Sequence, residues 1–76
     1  MHAQPLTAKE LEYVADCMSN EDLLIKQCYA ASATTLNAAT LQFCGQMLQT
    51  HTQHYQTLMH LLDQHRQMAP TQPQLQ

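Results

Sequence analysis

The chain has few of the residues that break helices or form turns. Its 76 residues include one glycine and no tryptophan, and the three prolines stand near the two ends. The rest is rich in the helix formers leucine, alanine, glutamine and methionine, which is typical of an all-α protein. A chain of this length makes one small domain, close to the lower size at which a core alone holds a fold.

Basic residues are also scarce, and this limits the classes of partner. Lys and Arg total 3 against 6 acidic residues, for a net charge of -3. Nucleic-acid binding is disfavoured, because phosphate contacts need a basic face. No apolar run approaches the roughly 20 residues of a membrane span, and the N-terminus lacks the pattern of a cleaved signal. We therefore expect a protein made in the cytoplasm, with no signal peptide, no membrane span and no nucleic-acid partner.

A capping box predicts where the first helix begins. Thr7 can accept a hydrogen bond from the Glu10 amide while the Glu10 side chain reaches back. Residues 19–22 then allow two readings, a second N-cap with acidic residues behind it or an uninterrupted helix to about Ala33. We favour continuity, because the apolar positions keep their three-to-four spacing across this stretch. These positions are Leu11, Val14, Met18, Ile25 and Cys28.

A second helix is predicted from about Ala38 to Arg66. Two threonines and Asn37, a good N-cap residue, mark the turn before it. The predicted organisation is a lead at 1–6, a helical hairpin domain at 7–66 and a disordered tail rich in Pro and Gln at 67–76. The apolar positions of the second helix recur with the same spacing: Leu41, Cys44, Leu48, Tyr55, Leu58 and Leu62.

Each apolar series has one polar residue where an apolar one is due. A turn this short makes the helices antiparallel neighbours, and facing residues then have numbers that sum to about 72. Glu21 and His51 occupy the two polar positions and face each other in this register, with His54 one turn along the same side. Two readings stay open: a hydrogen-bonded pair that fixes the register, or a metal site formed by Glu21, His51 and His54.

The three cysteines have no zinc-finger spacing. We expect Cys17, Cys28 and Cys44 to be reduced, buried small hydrophobes. A Cys28–Cys44 disulfide is not expected, since facing helices hold Cα atoms too far apart. Cys17 is level with His54, but a nucleophilic hydrolase is the least favoured reading, because no oxyanion-binding glycine loop is evident. We expect the other histidines, His2, His60 and His65, to be solvated or terminal, and we assign no role to them.

The apolar stripes are wider than two helices can cover. A flanking apolar row runs beside each series, with Cys17, Leu24 and Ala31 on the first helix and Met47 and Leu61 on the second. Stripes of this width suit a four-helix bundle. We therefore predict a homodimer of two hairpins.

Several short motifs resemble the coat F family, the small spore coat proteins of endospore-forming bacteria. They are Leu6-Thr-Ala-Lys-Glu-Leu, Met18-Ser19, Gly45-Gln-Met and His51-x-x-His54-Tyr55-x-x-Leu58, and the resemblance covers roughly residues 6–65. It implies a ferritin-like helical unit without catalytic activity, deposited in the spore coat beside other coat proteins.

The resemblance and the residues lead to two functional hypotheses. The first is a structural spore coat-type protein, not an enzyme, that assembles with itself and with other coat proteins. The second is a ferritin-like metal-binding protein that uses Glu21, His51 and His54 for Zn²⁺, or less selectively Fe²⁺ or Mn²⁺. Ferritin-like di-metal proteins use Glu-x-x-His motifs, whereas here the first position of the motif is His51. Iron oxidation is therefore not expected.

Overall fold

The computed structural model describes residues 4–68 and contains two helices. Helix α1 spans Ala8–Thr34 and helix α2 spans Ala38–Met68, joined by a three-residue turn. They pack against each other as an antiparallel hairpin, so the predicted all-α class is confirmed. Within 4–68, neither helix is long and apolar enough to cross a membrane.

The predicted capping box forms at the start of α1. The Thr7 hydroxyl accepts from the Glu10 amide at 3.1 Å, and the Thr7 amide donates to Glu10 Oε1 at 2.9 Å. The disputed stretch 19–22 is helical throughout, so α1 is one continuous helix. Continuity keeps Glu21 on the same side of α1 as Val14, and the site depends on this phase.

The turn and the two neighbouring helix ends are held by short-range hydrogen bonds. Asn37 Oδ1 accepts from the Thr40 amide at 2.9 Å, as expected of an N-cap. The Thr34 hydroxyl donates to the Ala30 carbonyl at 3.0 Å, and α1 ends one residue after the predicted Ala33. With only three residues between the helices, an antiparallel arrangement is the one the chain can reach.

Helix α2 runs two residues past the predicted end at Arg66. The Gln67 side chain donates to Asp63 Oδ2 at 3.1 Å, an i, i+4 contact that extends the last turn. The predicted tail therefore begins later than residue 67, and its remaining residues 69–76 lie outside the described ones. The same is true of residues 1–3 of the predicted lead.

The predicted register is confirmed at two points along the hairpin. Glu21 contacts His51, and near the open end the Leu6 amide donates to His65 Nδ1 at 2.9 Å. The second contact corrects the expectation that His65 is solvated, because this imidazole is half-buried and ties the lead to α2. Leu41 departs from the predicted apolar series by being exposed. Its facing position holds only Ala31, which is too small to cover a leucine.

The two helices bury few side chains between them. Within the described residues, only Val14 and Cys44 are buried hydrophobic side chains. The other members of the two apolar series are half-buried, apart from the exposed Leu41. A single hairpin therefore leaves much of its apolar surface in water, as expected when two helices supply only two walls of a core.

Candidate metal centre

The middle of the hairpin holds a cluster of one carboxylate and two imidazoles. Glu21 lies on α1, and His51 and His54 lie on α2 at i, i+3, so both rings project from one side of that helix. Their candidate ligand atoms all lie within 4.8 Å of one another. The three residues expected to form the site are therefore brought together.

Each oxygen of the Glu21 carboxylate contacts a different imidazole. His51 Nδ1 lies 2.6 Å from Oε2, and His54 Nδ1 lies 3.1 Å from Oε1. The two rings meet edge to face, with centroids 5.9 Å apart and planes at 77°. An ionised carboxylate can only accept, so both imidazoles donate their Nδ1–H to it and Glu21 bridges the two.

The electrostatics of the cluster favour an ionised Glu21. Burial by itself disfavours the charge and raises the pKa of this carboxyl group. The hydrogen bonds from His51 and His54, together with their positive charge when protonated, outweigh it, so the pKa of Glu21 is lowered from its ordinary value. The folded chain therefore keeps an anion between two potential nitrogen ligands.

The cluster opens on one side only. The side chains of His51 and Glu21 are 12% and 16% exposed, whereas that of His54 is 55% exposed. His54 lies seven residues from both Met47 and Leu61, so it occupies the middle of the flanking apolar row on α2. It also lines a groove with Cys17 of the flanking row on α1. The two rows therefore share one face of the hairpin, and the cluster opens onto that face.

We call this surface the apolar face and define it by its two rows: Cys17, Leu24 and Ala31 with Met47, His54 and Leu61. The opposite face has a second groove, lined by Met18, Met59, Leu62, Asp63 and Arg66. Asp63 and Arg66 pair there at 2.7 Å. Both grooves are therefore lined by apolar side chains, and the opposite one also carries an ion pair.

The cysteines follow the prediction only in part. All three are free thiols; Cys44 is buried and Cys28 is half-buried, as expected near the interhelical contact. The expectation that Cys17 is buried is wrong. Cys17 belongs to the flanking row, and no helix of the hairpin covers that row. The sequence spacing placed Cys17 level with His54, and both residues line the same groove.

The donor set fits a divalent transition metal. Tetrahedral Zn²⁺ holds nitrogen and oxygen ligands at about 2.0–2.1 Å, which places neighbouring ligand atoms about 3.3 Å apart. The two oxygen-to-nitrogen contacts of 2.6 and 3.1 Å are shorter than this separation. Modest side-chain rotations would therefore admit an ion, and an imidazole that coordinates through Nδ1 would carry its proton on Nε2 instead.

Comparison with family models, with curated proteins and with solved structures finds no match to this chain. The resemblance to coat F proteins stays a prediction, as does the ferritin-like assignment.

Proposed function

We propose that this protein is a structural, self-associating helical module of the spore coat type. Two hairpins pair through their apolar faces into a four-helix bundle, and this bundle is the unit that assembles with other coat proteins. The small core is the observation that carries self-association, whereas the coat role rests on the resemblance of the sequence motifs to coat F proteins. Within the described residues two hydrophobic side chains are buried, while Leu24 and Leu61 of the apolar face are 36% and 38% exposed. Exposure of this kind marks a surface that a partner covers.

A second copy of the chain is the occupant that fits this face best. Both flanking rows have the seven-residue spacing that packs against rows of the same kind in a neighbouring helix. The face also carries few charges that a different partner could complement. Pairing two hairpins would add the two missing walls of the core without further sequence.

Two neighbouring leucines offer a matched test of the pairing. Leu24 belongs to the apolar face, whereas Leu23 is exposed on the outer side of α1. The wild-type chain should sediment as a dimer at micromolar concentration. Leu24→Glu should shift it towards the monomer, because a carboxylate would be buried without a partner, and Leu23→Glu should leave the dimer intact. A wild-type monomer of 8.6 kDa would overturn the proposal.

The spore coat role has a separate test. A fluorescent fusion of the chain, expressed in an endospore-forming bacterium, should form a ring around the developing spore. The Leu24→Glu fusion should lose the ring if self-association is needed for deposition. A wild-type fusion that stays diffuse in the mother cell would separate this protein from coat proteins, whatever its oligomeric state.

A second candidate function is metal binding at Glu21, His51 and His54. It is favoured by the convergence of three donor atoms from two helices within 4.8 Å. Protein purified without an affinity tag should contain close to one metal ion per chain, and chelation should lower its melting temperature. Glu21→Ala and His51→Ala should abolish binding, whereas the exposed His60→Ala should retain it. A wild-type protein that stays metal-free after incubation with zinc and iron, and melts unchanged with chelator, would exclude this function.

A further inference from the structure

Cys17 lies beside the cluster formed by Glu21, His51 and His54. It precedes Glu21 by four residues, one turn of α1, so the two side chains project from neighbouring positions of that helix. It is a free, exposed thiol and lines one groove with Glu21 and His54. Neither the capping of the helices nor the interhelical contact accounts for a cysteine here.

Three ligands leave the preferred coordination of zinc incomplete. Structural zinc sites have four ligands in a tetrahedron, and thiolate is among the commonest of them. In this hairpin each helix supplies its donors from one side, at i, i+4 on α1 and at i, i+3 on α2. Cys17, Glu21, His51 and His54 therefore lie within about one turn of the hairpin, with two donors from each helix. The Cys17 sulfur lies outside the group of ligand atoms that are within 4.8 Å of one another, so its side chain would have to rotate towards the other three.

The charges of these four residues also match a divalent ion. One carboxylate, one thiolate and two neutral imidazoles sum to −2, so a bound Zn²⁺ would leave the site neutral. Without the thiolate the same site would keep a net charge of +1 beside the apolar face. A neutral site is the less costly one to cover with a second hairpin, because burying uncompensated charge is unfavourable.

We propose that Cys17 is the fourth ligand of a closed Zn²⁺ site that joins α1 to α2. This inference rests on the second candidate function, metal binding, and adds its coordination class. A closed four-ligand site has no open position for a substrate, so its role is to hold the two helices in register. Binding would release the thiol proton of Cys17, and each neutral imidazole would carry its single proton on the ring nitrogen that does not face the ion.

The other two cysteines lie too far from the cluster to act as its fourth ligand. Cys28 is seven residues beyond Glu21, which is about 10.5 Å along the helix axis. Cys44 is seven residues before His51 and is buried near the turn. Cys28 therefore serves as the matched control for Cys17, since it is also a free thiol on α1.

Cobalt substitution tests the proposal directly. Co²⁺ bound by a thiolate gives a sulfur-to-metal charge-transfer absorption in the near ultraviolet, whereas nitrogen and oxygen ligands alone give only the visible bands of the metal. The reduced full-length chain, titrated with Co²⁺, should show both signals at one equivalent, and Zn²⁺ should displace them. Cys17→Ser should lose the near-ultraviolet band, and Cys28→Ser should retain it. Cys17→Ser should also bind at least about tenfold more weakly, since losing even an outer-shell partner costs about 10–100-fold.

The possible failures are distinguishable. Co²⁺ binding without the thiolate band, or with equal affinity in wild type and Cys17→Ser, would overturn the role of Cys17 and leave the three-ligand site standing. No Co²⁺ binding by the reduced wild type would overturn the role of Cys17 together with metal binding. Circular dichroism of Cys17→Ser should match wild type, because serine is close to cysteine in size and leaves the helix backbone unchanged.

Discussion

Truncation of Leu58 to alanine measures how far the interhelical surface is covered in solution. Leu58 is half-buried within one hairpin and lines the groove with Cys17 and His54. Its uncovered side therefore belongs to the surface that a second hairpin would close. The free energy lost on truncation depends on whether that cover is present.

The stability lost on truncation of Leu58 should differ between a lone hairpin and a dimer of hairpins. Full burial of a leucine side chain contributes about 1.5–3 kcal/mol, so a half-covered leucine in a lone hairpin should lose only about 1 kcal/mol on truncation. Covered by a second hairpin, Leu58 becomes an ordinary core leucine, for which truncation costs about 2–5 kcal/mol. Since we propose the dimer, we expect Leu58→Ala to lose about 2–5 kcal/mol.

Urea denaturation followed by circular dichroism measures this difference. The unfolding midpoint of wild type should rise with protein concentration, as for any dimer that unfolds on dissociation. A loss of 2 kcal/mol should lower the melting temperature by about 8 °C or more in a domain of this size. The control Gln67→Ala, on an exposed side chain, should stay within about 0.5 kcal/mol. A loss near 1 kcal/mol with concentration-independent midpoints would refute the covered bundle.

Three further outcomes follow from single residues. Gly45→Ala should raise the free energy of unfolding by about 0.5–1 kcal/mol in calorimetry, because an added Cβ meets nothing within 4 Å; a loss would indicate that another helix packs against Gly45. Asn37→Ala should lower it by about 1 kcal/mol through loss of the N-cap, and Asn37→Gly by only a few tenths; equal losses would argue against the capping bond. The stability advantage of wild type over Glu21→Gln should be complete at neutral pH and should disappear in acid, measured by urea denaturation across a pH series. The lowered pKa of Glu21 means that the unfolded chain binds more protons than the folded one, so stability falls as pH falls through that lowered pKa; an advantage unchanged in strong acid would contradict it.

The helices could be predicted because their signals are local. The Thr7–Glu10 capping box spans three residues, and both of its hydrogen bonds form. Asn37 caps α2 through the amide three residues on. The end of α2 was misplaced by two residues, because the contact between Gln67 and Asp63 outweighs the weak boundary signal after Arg66.

The meeting of Glu21 with His51 could also be predicted, although the two residues are 30 positions apart. A short turn couples the phases of two helices, so one register brings both apolar series and both polar positions into contact. The same reasoning brought Cys17 level with His54. It did not reveal that Cys17 is exposed or that His65 accepts from the Leu6 amide, since these depend on what covers each side chain and where the lead lies.

By itself, the sequence determined the two helices, their antiparallel register and the identity of the three clustered donors. Those properties depend on helical periodicity, caps and loop length, which act over a few residues or through one short turn. Only the tertiary structure decided which flanking rows share a face, that the cluster opens onto that face, and that one hairpin buries just Val14 and Cys44. The exposure of a side chain depends on how the packed helices cover it, and the spacing of residues along the chain does not specify that cover.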